Sequence, residues 1–238
     1  MQNIYSTFYS YIGVILSCYF TNFALAEPPK QAFPFVPSPP QSTTHWIAEY
    51  IERNTIPMQI KGFDTTLTLQ NVNQFYASWF KDKQQYTRKI LSDGELFGAK
   101  LGIYQVTVKT KNTQSGASGT LSSAVIHEDV ASLKDRVASI GKGFPAPTGS
   151  ICTSDVVSYD PGTKNRVIVF TNQQSVETNA LYIREQMLKL GWTLQQDQTI
   201  KGGISSFLTL RKASSEMMIT INKSSQATSI VSSQTDID

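Results

Sequence analysis

Two kinds of spacing organise the chain. Val176, Ala180, Ile183, Met187 and Leu190 recur at i, i+4, i+7, i+11 and i+14, which predicts one apolar stripe on a helix over residues 176–190. Ser175 precedes it as an N-cap, Glu177 in the first turn suits the helix dipole, and Gly191 follows as a left-handed stop. On either side the apolar residues are β-branched and clustered. Residues 151–159, 166–171, 192–196, 204–211 and 216–222 read as strands, with turns at Asp160-Pro161-Gly162 and Lys201-Gly202-Gly203.

The same plan occurs earlier in the chain. Residues 58–63 predict a strand, and Leu69, Val72, Tyr76 and Trp79 a helix stripe. A short strand over 87–91 follows, then a hairpin of 101–109 and 121–126 across the Gly/Ser-rich loop 112–119. At an offset of 107 residues, Ile60-Lys61-Gly62-Phe63 falls on Val167-Ile168-Val169-Phe170, Thr68-Leu69-Gln70 on Ser175-Val176-Glu177, and Phe75-Tyr76 on Tyr182-Ile183. Agreement of pattern across a strand, a cap and a helix points to an internal repeat. The register sets residues 45–52, whose spacing also fits a helix, opposite an extended segment, and so favours a strand there. Val130, Leu133, Val137 and Ile140 predict a connecting helix over 128–140.

The expected fold is therefore α+β. It consists of two tandem copies of a two-layer module, an antiparallel sheet with one main helix on a face, in the order β-β-α-β-β-β. The expected division is a first repeat over 45–127, a connector over 128–150 and a second repeat over 151–223. Residues 28–40 hold six of the ten prolines, which removes backbone donors and predicts a polyproline tether within 27–44. Residues 224–238 are dominated by Ser, Thr and Gln and read as a disordered tail.

Residues 1–26 carry no charged side chain. Tyr11 to Phe20 is apolar but too short to span a bilayer, and Ala24-Leu25-Ala26 follows. This pattern predicts a signal peptide cleaved after Ala26 and a periplasmic or secreted protein. Cys18 after Leu16-Ser17 offers a lipid anchor as the alternative, weakened by the bulk of Leu16. Without residues 1–26 one cysteine remains, Cys152, which cannot form an internal disulfide.

Composition narrows the chemistry. Lys+Arg 21 against Asp+Glu 18 gives +3, spread evenly, so neither a nucleic-acid stripe nor a polybasic membrane patch is expected. His45 and His127 stand far apart and Cys152 has no partner, so no metal, cofactor or catalytic residue is assigned. His127-Glu128-Asp129 reads as a strand end followed by acidic residues at a helix start. Ser115-Gly116-Ala117-Ser118-Gly119 lacks the spacing of a nucleophile elbow, and no phosphate-binding glycine loop occurs. Tyr76, Trp79 and Phe80 read as core rather than as a sugar platform. The candidate interaction loop is Gly143, Phe144, Pro145, Pro147 and Gly149, where two prolines preorganise the backbone.

The run of strand, Asn172-x-x-Ser175-Val176-Glu177, helix with a central aromatic, then Gly191-Trp192 resembles small exported bacterial domains of uncharacterised role. It covers residues 166–222, and the resemblance implies export without implying a chemistry. The expected function is that of a non-enzymatic exported protein, working by protein–protein contact in a bacterial envelope assembly of secretion or pilus type. The alternatives are a periplasmic binding protein for a small ligand or glycan in the groove between the repeats, or a carboxylate hydrolase.

Overall fold

The computed structural model describes residues 31–126, 130–160, 162–200 and 202–237. Among these the order is β1 (Ser42–Arg53), β2 (Ile56–Thr65), α1 (Leu69–Phe80), β3 (Gln84–Ile90), β4 (Gly94–Leu101), β5 (Tyr104–Thr113), β6 (Gly116–Val125), α2 (Val130–Ser139), β7 (Ile151–Asp160), β8 (Thr163–Asn172), α3 (Val176–Lys189), β9 (Thr193–Thr199), β10 (Ser205–Lys212), β11 (Ser215–Lys223) and β12 (Thr228–Ile237). The twelve strands form one antiparallel sheet, ordered β3-β4-β5-β6-β2-β1-β7-β8-β12-β11-β10-β9. The class is mixed α+β, as expected, and the strands expected as one sheet per copy are joined edge to edge in a single sheet.

Local chemistry explains both main helices. Thr68 caps α1, its hydroxyl accepting from the Asn71 N–H at 3.3 Å, and Ser175 caps α3 by accepting from Thr178 N–H at 3.0 Å. Gly191 ends α3 at φ +83°, a conformation that favours glycine. The strand register carries Phe63 and Phe170 to the same face, through Pro57↔Glu52, Glu52↔Val157 and Val157↔Arg166. Both helices therefore pack on one face. Under α1 lie Phe63, Val72, Tyr76, Phe80, Phe97 and Val108. Under α3 lie Phe170, Ile183, Met187, Leu208, Ile219 and Ile230.

Several expectations are corrected. Each half has four strands after its helix, not three. The extra strand β4 holds two glycines that obscured its alternation, yet Phe97 and Ala99 are fully buried from it. The segment expected to be a disordered tail forms β12, which pairs on one side with β8 and on the other with β11. Its hydroxyl residues suit a strand, and Thr228, Ile230 and Ser232 are buried.

The proline-rich segment is not a free tether over the described residues 31–41. Its unpaired carbonyls accept side-chain donors: Pro37 O from the Tyr76 hydroxyl at 3.2 Å, Pro40 O from Thr65 Oγ1 at 3.2 Å, and Ala32 O from the Tyr104 hydroxyl at 2.6 Å. Phe33 lies 5.8 Å from the Tyr104 ring and 6.4 Å from the Tyr50 ring. In α2 the expected stripe is not buried, since Leu133 and Val137 are exposed. No described helix is long and apolar enough to cross a membrane.

Candidate functional site

The two halves of the sheet meet at a short seam. Only Ile51, Glu52 and Arg53 of β1 pair with β7, opposite Ser158, Val157 and Val156. β1 carries register shifts between Trp46 and Ala48 and between Ala48 and Ile51. Bulges of this kind bend a strand and increase its twist, so β1 leaves β7 on its N-terminal side.

One end of the seam is filled. Asn54 N–H donates to Asp155 O at 2.7 Å, and Asp155 N–H donates to Asn54 Oδ1 at 2.8 Å. Arg136 from α2 reaches Thr55, donating to its hydroxyl at 3.1 Å and its carbonyl at 2.9 Å. Behind them the Asp155 carboxylate accepts from Arg166 at 2.7 and 2.9 Å and from Gly141 N–H at 2.8 Å. Burial opposes ionisation of Asp155. The hydrogen bonds from Arg166 and Gly141 and the guanidinium charge outweigh it and hold the carboxyl below its usual range.

The other end is open. A groove of about 410 Å³ is lined by residues 46–51 of β1 and 158–160 of β7. Tyr50 and Tyr159 meet edge to face at 5.6 Å, and the Tyr50 hydroxyl donates to Glu52 Oε1 at 2.7 Å. Burial, and then the bond to Glu52, push the Tyr50 phenol far above its usual range. The charged residues in the lining are Glu49 and Asp160. Lys61 sits over the Trp46 ring at 5.4 Å and Lys164 over the Tyr159 ring at 5.7 Å, so both cations cover aromatic faces.

The candidate loop lies elsewhere, against the second core. Phe144 stacks on Phe170 at 5.4 Å, Pro147 is buried, and Pro145 is half-buried, while Gly143 and Gly149 are exposed. Pro147 falls 107 residues after Pro40, and both segments cross the helix-bearing face. This loop is held in place as a strap. Sequence reasoning did not place the seam groove, because its walls come from strands about 110 residues apart. The exposed aromatic Trp46 beside Ile47 was its one local signal.

Of the aromatics on α1, Tyr76 and Phe80 are fully buried, while Phe75 and Trp79 are half-buried beside Leu67 and Pro40. Cys152 is half-buried and its Sγ lies 3.5 Å from Ser154 O; burial pushes the thiol up. His45 Nδ1 lies 3.9 Å from Asp64 on an exposed surface. Residues 1–26, which hold the expected signal peptide and Cys18, and His127-Glu128-Asp129 lie outside the described residues. Among the described residues, no three His, Cys, Asp or Glu side chains gather as a metal-binding group. No family model matches the chain, and comparison with curated proteins and with solved structures finds no match.

Proposed function

We propose that this is an exported, non-enzymatic protein that works by protein–protein contact in a bacterial envelope assembly of secretion or pilus type. The observation that carries the reading is the one-sided cover of the sheet and its broken seam. Twelve strands, two helices and two straps bury one face. The other face presents Met58, Ile60, Ile51, Val156, Val167, Val169 and Val231 in a band across the centre. An antiparallel sheet tolerates water on one face, but an apolar band interrupting the polar alternation is a feature of contact surfaces. Export rests on the pattern of residues 1–26.

The finer architecture belongs to the same proposal. We read the chain as a duplication of one ββαββββ module, joined edge to edge. The strand orders β3-β4-β5-β6-β2-β1 and β9-β10-β11-β12-β8-β7 support it, as does the offset of 107 that relates β2 to β8 and Thr68 to Ser175. A second reading, a glycan or small-ligand protein, draws on the groove: Trp46, Tyr50 and Tyr159 supply ring surfaces, with Glu49 and Asp160 as carboxylates.

The test is photocrosslinking in the native envelope from positions along the open face, followed by mass spectrometry. The proposal expects defined protein adducts from Val167 and Met218 and none from the strap position Gly149. Adducts to sugar polymer alone, or a protein retained in the cytoplasm, would overturn it.

A further inference from the structure

The seam leaves a strand edge open in the middle of the sheet. β1 pairs with β2 from Ser42 to Arg53 except at its bulged residues, but on its other side only residues 51–53 meet β7. Among the described residues no backbone hydrogen bond is made by residues 42–50 on that side. β7 cannot extend to cover them, because past Ser158 it runs into the hairpin with β8, through Tyr159↔Lys164 and Asp160↔Thr163. Unpaired N–H and C=O groups on a strand edge template the addition of another strand.

We propose that residues 43–49 of β1 accept an extended, basic segment of a partner protein as an added strand, lying end to end with β7 in the same layer. This rests on the contact function proposed above and names its surface. Backbone pairing supplies the affinity, and the groove supplies the preference. Trp46 and Ile47 are 47% and 53% exposed and lie along this edge as apolar anchors. The carboxylates lining the groove are Glu49 and Asp160, with Glu52 behind them on the Tyr50 hydroxyl, while the neighbouring cations Lys61 and Lys164 are engaged over the Trp46 and Tyr159 rings. A segment alternating aliphatic and basic side chains meets both requirements, whereas an acidic one sets like charges together in a partly desolvated cleft. Outer strands β3 and β9 are less suited. β3 is bulged between Gln84 and Thr87, and β9 is polar, with Asp197 paired to Arg184 at 2.8 Å.

The experiment is amide hydrogen exchange on the full chain, with a capped peptide alternating Val and Lys over about eight residues as the probe. The expected result is slowing of exchange at residues 43–49 by about tenfold or more at saturation. A peptide with Glu in place of Lys should give no protection. The Val/Lys peptide N-methylated on alternate amides should also fail, since it keeps its side chains but cannot complete the ladder. The double variant Glu49→Gln/Asp160→Asn should bind the Val/Lys peptide more weakly, with the unliganded exchange pattern unchanged. Protection confined to another surface, or equal protection by the methylated peptide, overturns the proposal. So does protection of 43–49 that grows with protein concentration alone, which would assign the edge to a second copy. Protection of the groove by an oligosaccharide but not by peptide overturns it in favour of a glycan. These outcomes are separable from failure of the assembly reading, which is decided by crosslinking in the envelope whatever the peptide does.

Discussion

The two halves of the sheet hold the same strand order around chemically different cores. The first is aromatic over small: Phe63, Tyr76, Phe80 and Phe97 fill the space that Ala99, Ala117 and Gly119 leave. The second is uniformly aliphatic, with Ile183, Met187, Leu208, Leu210, Ile219, Ile221 and Ile230. Equivalent positions compensate one another. Phe63 faces Gly119 across the ladder, whereas Phe170 faces Ile230; Lys61 faces Leu121, whereas Ile168 faces Ser232. Even the polar groups under the helices differ, a Thr110–Asn73 bond at 2.7 Å in one half and an Asn172–Asn179 pair at 2.7 Å in the other. Total volume and patterning, rather than particular side chains, specify this arrangement of layers.

The largest test of that comparison exchanges the helix anchors. Phe80 and Met187 lie 107 residues apart at the base of α1 and α3, both essentially unexposed. Phe80→Ala should cost about 3–5 kcal/mol and Met187→Ala about 2–5 kcal/mol, measured by urea unfolding. The phenylalanine should cost more, because its ring meets Trp79, Tyr86 and Phe97 at 4.6, 6.1 and 6.0 Å. The reverse order would show that the aromatic core relaxes and the aliphatic one does not.

The seam comes next, since it decides whether the halves unfold together. Asp155→Asn should cost about 3 kcal/mol at pH 7, at the lower end for a buried pair because Arg166 is partly exposed. Asp155 has a lowered carboxyl pKa in the fold, so its contribution is present above the ordinary carboxylate value of about 4. It is lost as pH falls through the folded value. The gap between wild type and Asp155→Asn should therefore narrow progressively in urea titrations taken below about pH 4. A gap that does not change with pH there would remove the ion pair as its cause. Calorimetry of Asn54→Gly, which removes the side-chain bond to Asp155 N–H across the seam, should resolve two transitions where the wild type is expected to give one.

A smaller effect sharpens the large-over-small reading. A Cβ on Gly119 would lie 2.5 Å from both the Phe63 ring and the Lys109 carbonyl. Gly119→Ala should destabilise by about 1–3 kcal/mol, and Phe63→Leu should recover only part, because the Lys109 carbonyl is backbone. Full recovery would make the ring the sole obstacle. Smallest are the caps. Thr68→Ala and Ser175→Ala should each cost about 1 kcal/mol, with Ser175 the larger because its bond is shorter, 3.0 against 3.3 Å. Equal melting shifts would show that the bond length is immaterial.

What the residues determine locally was legible before any fold was known. The two capped helices follow from side-chain period and cap chemistry, which act within a few residues, whereas the strand over 45–52, whose spacing also fits a helix, is favoured only by the register of the 107-residue offset. Met187 was readable as core from its place in a stripe, and the structure buries it. Tertiary structure decided the rest, because the deciding partner was distant. A Ser/Thr-rich stretch became β12 only because β8 and β11 stand apart by one strand's width and offer two rows of unpaired backbone groups. The proline segment became a strap because Tyr76, Tyr104 and Thr65 aim hydroxyls at its free carbonyls. The groove at Trp46 and Tyr159 exists because β1 and β7 pair over three residues and then diverge. No local pattern records that divergence, since it depends on how β1 and β7, distant in sequence, meet within one sheet.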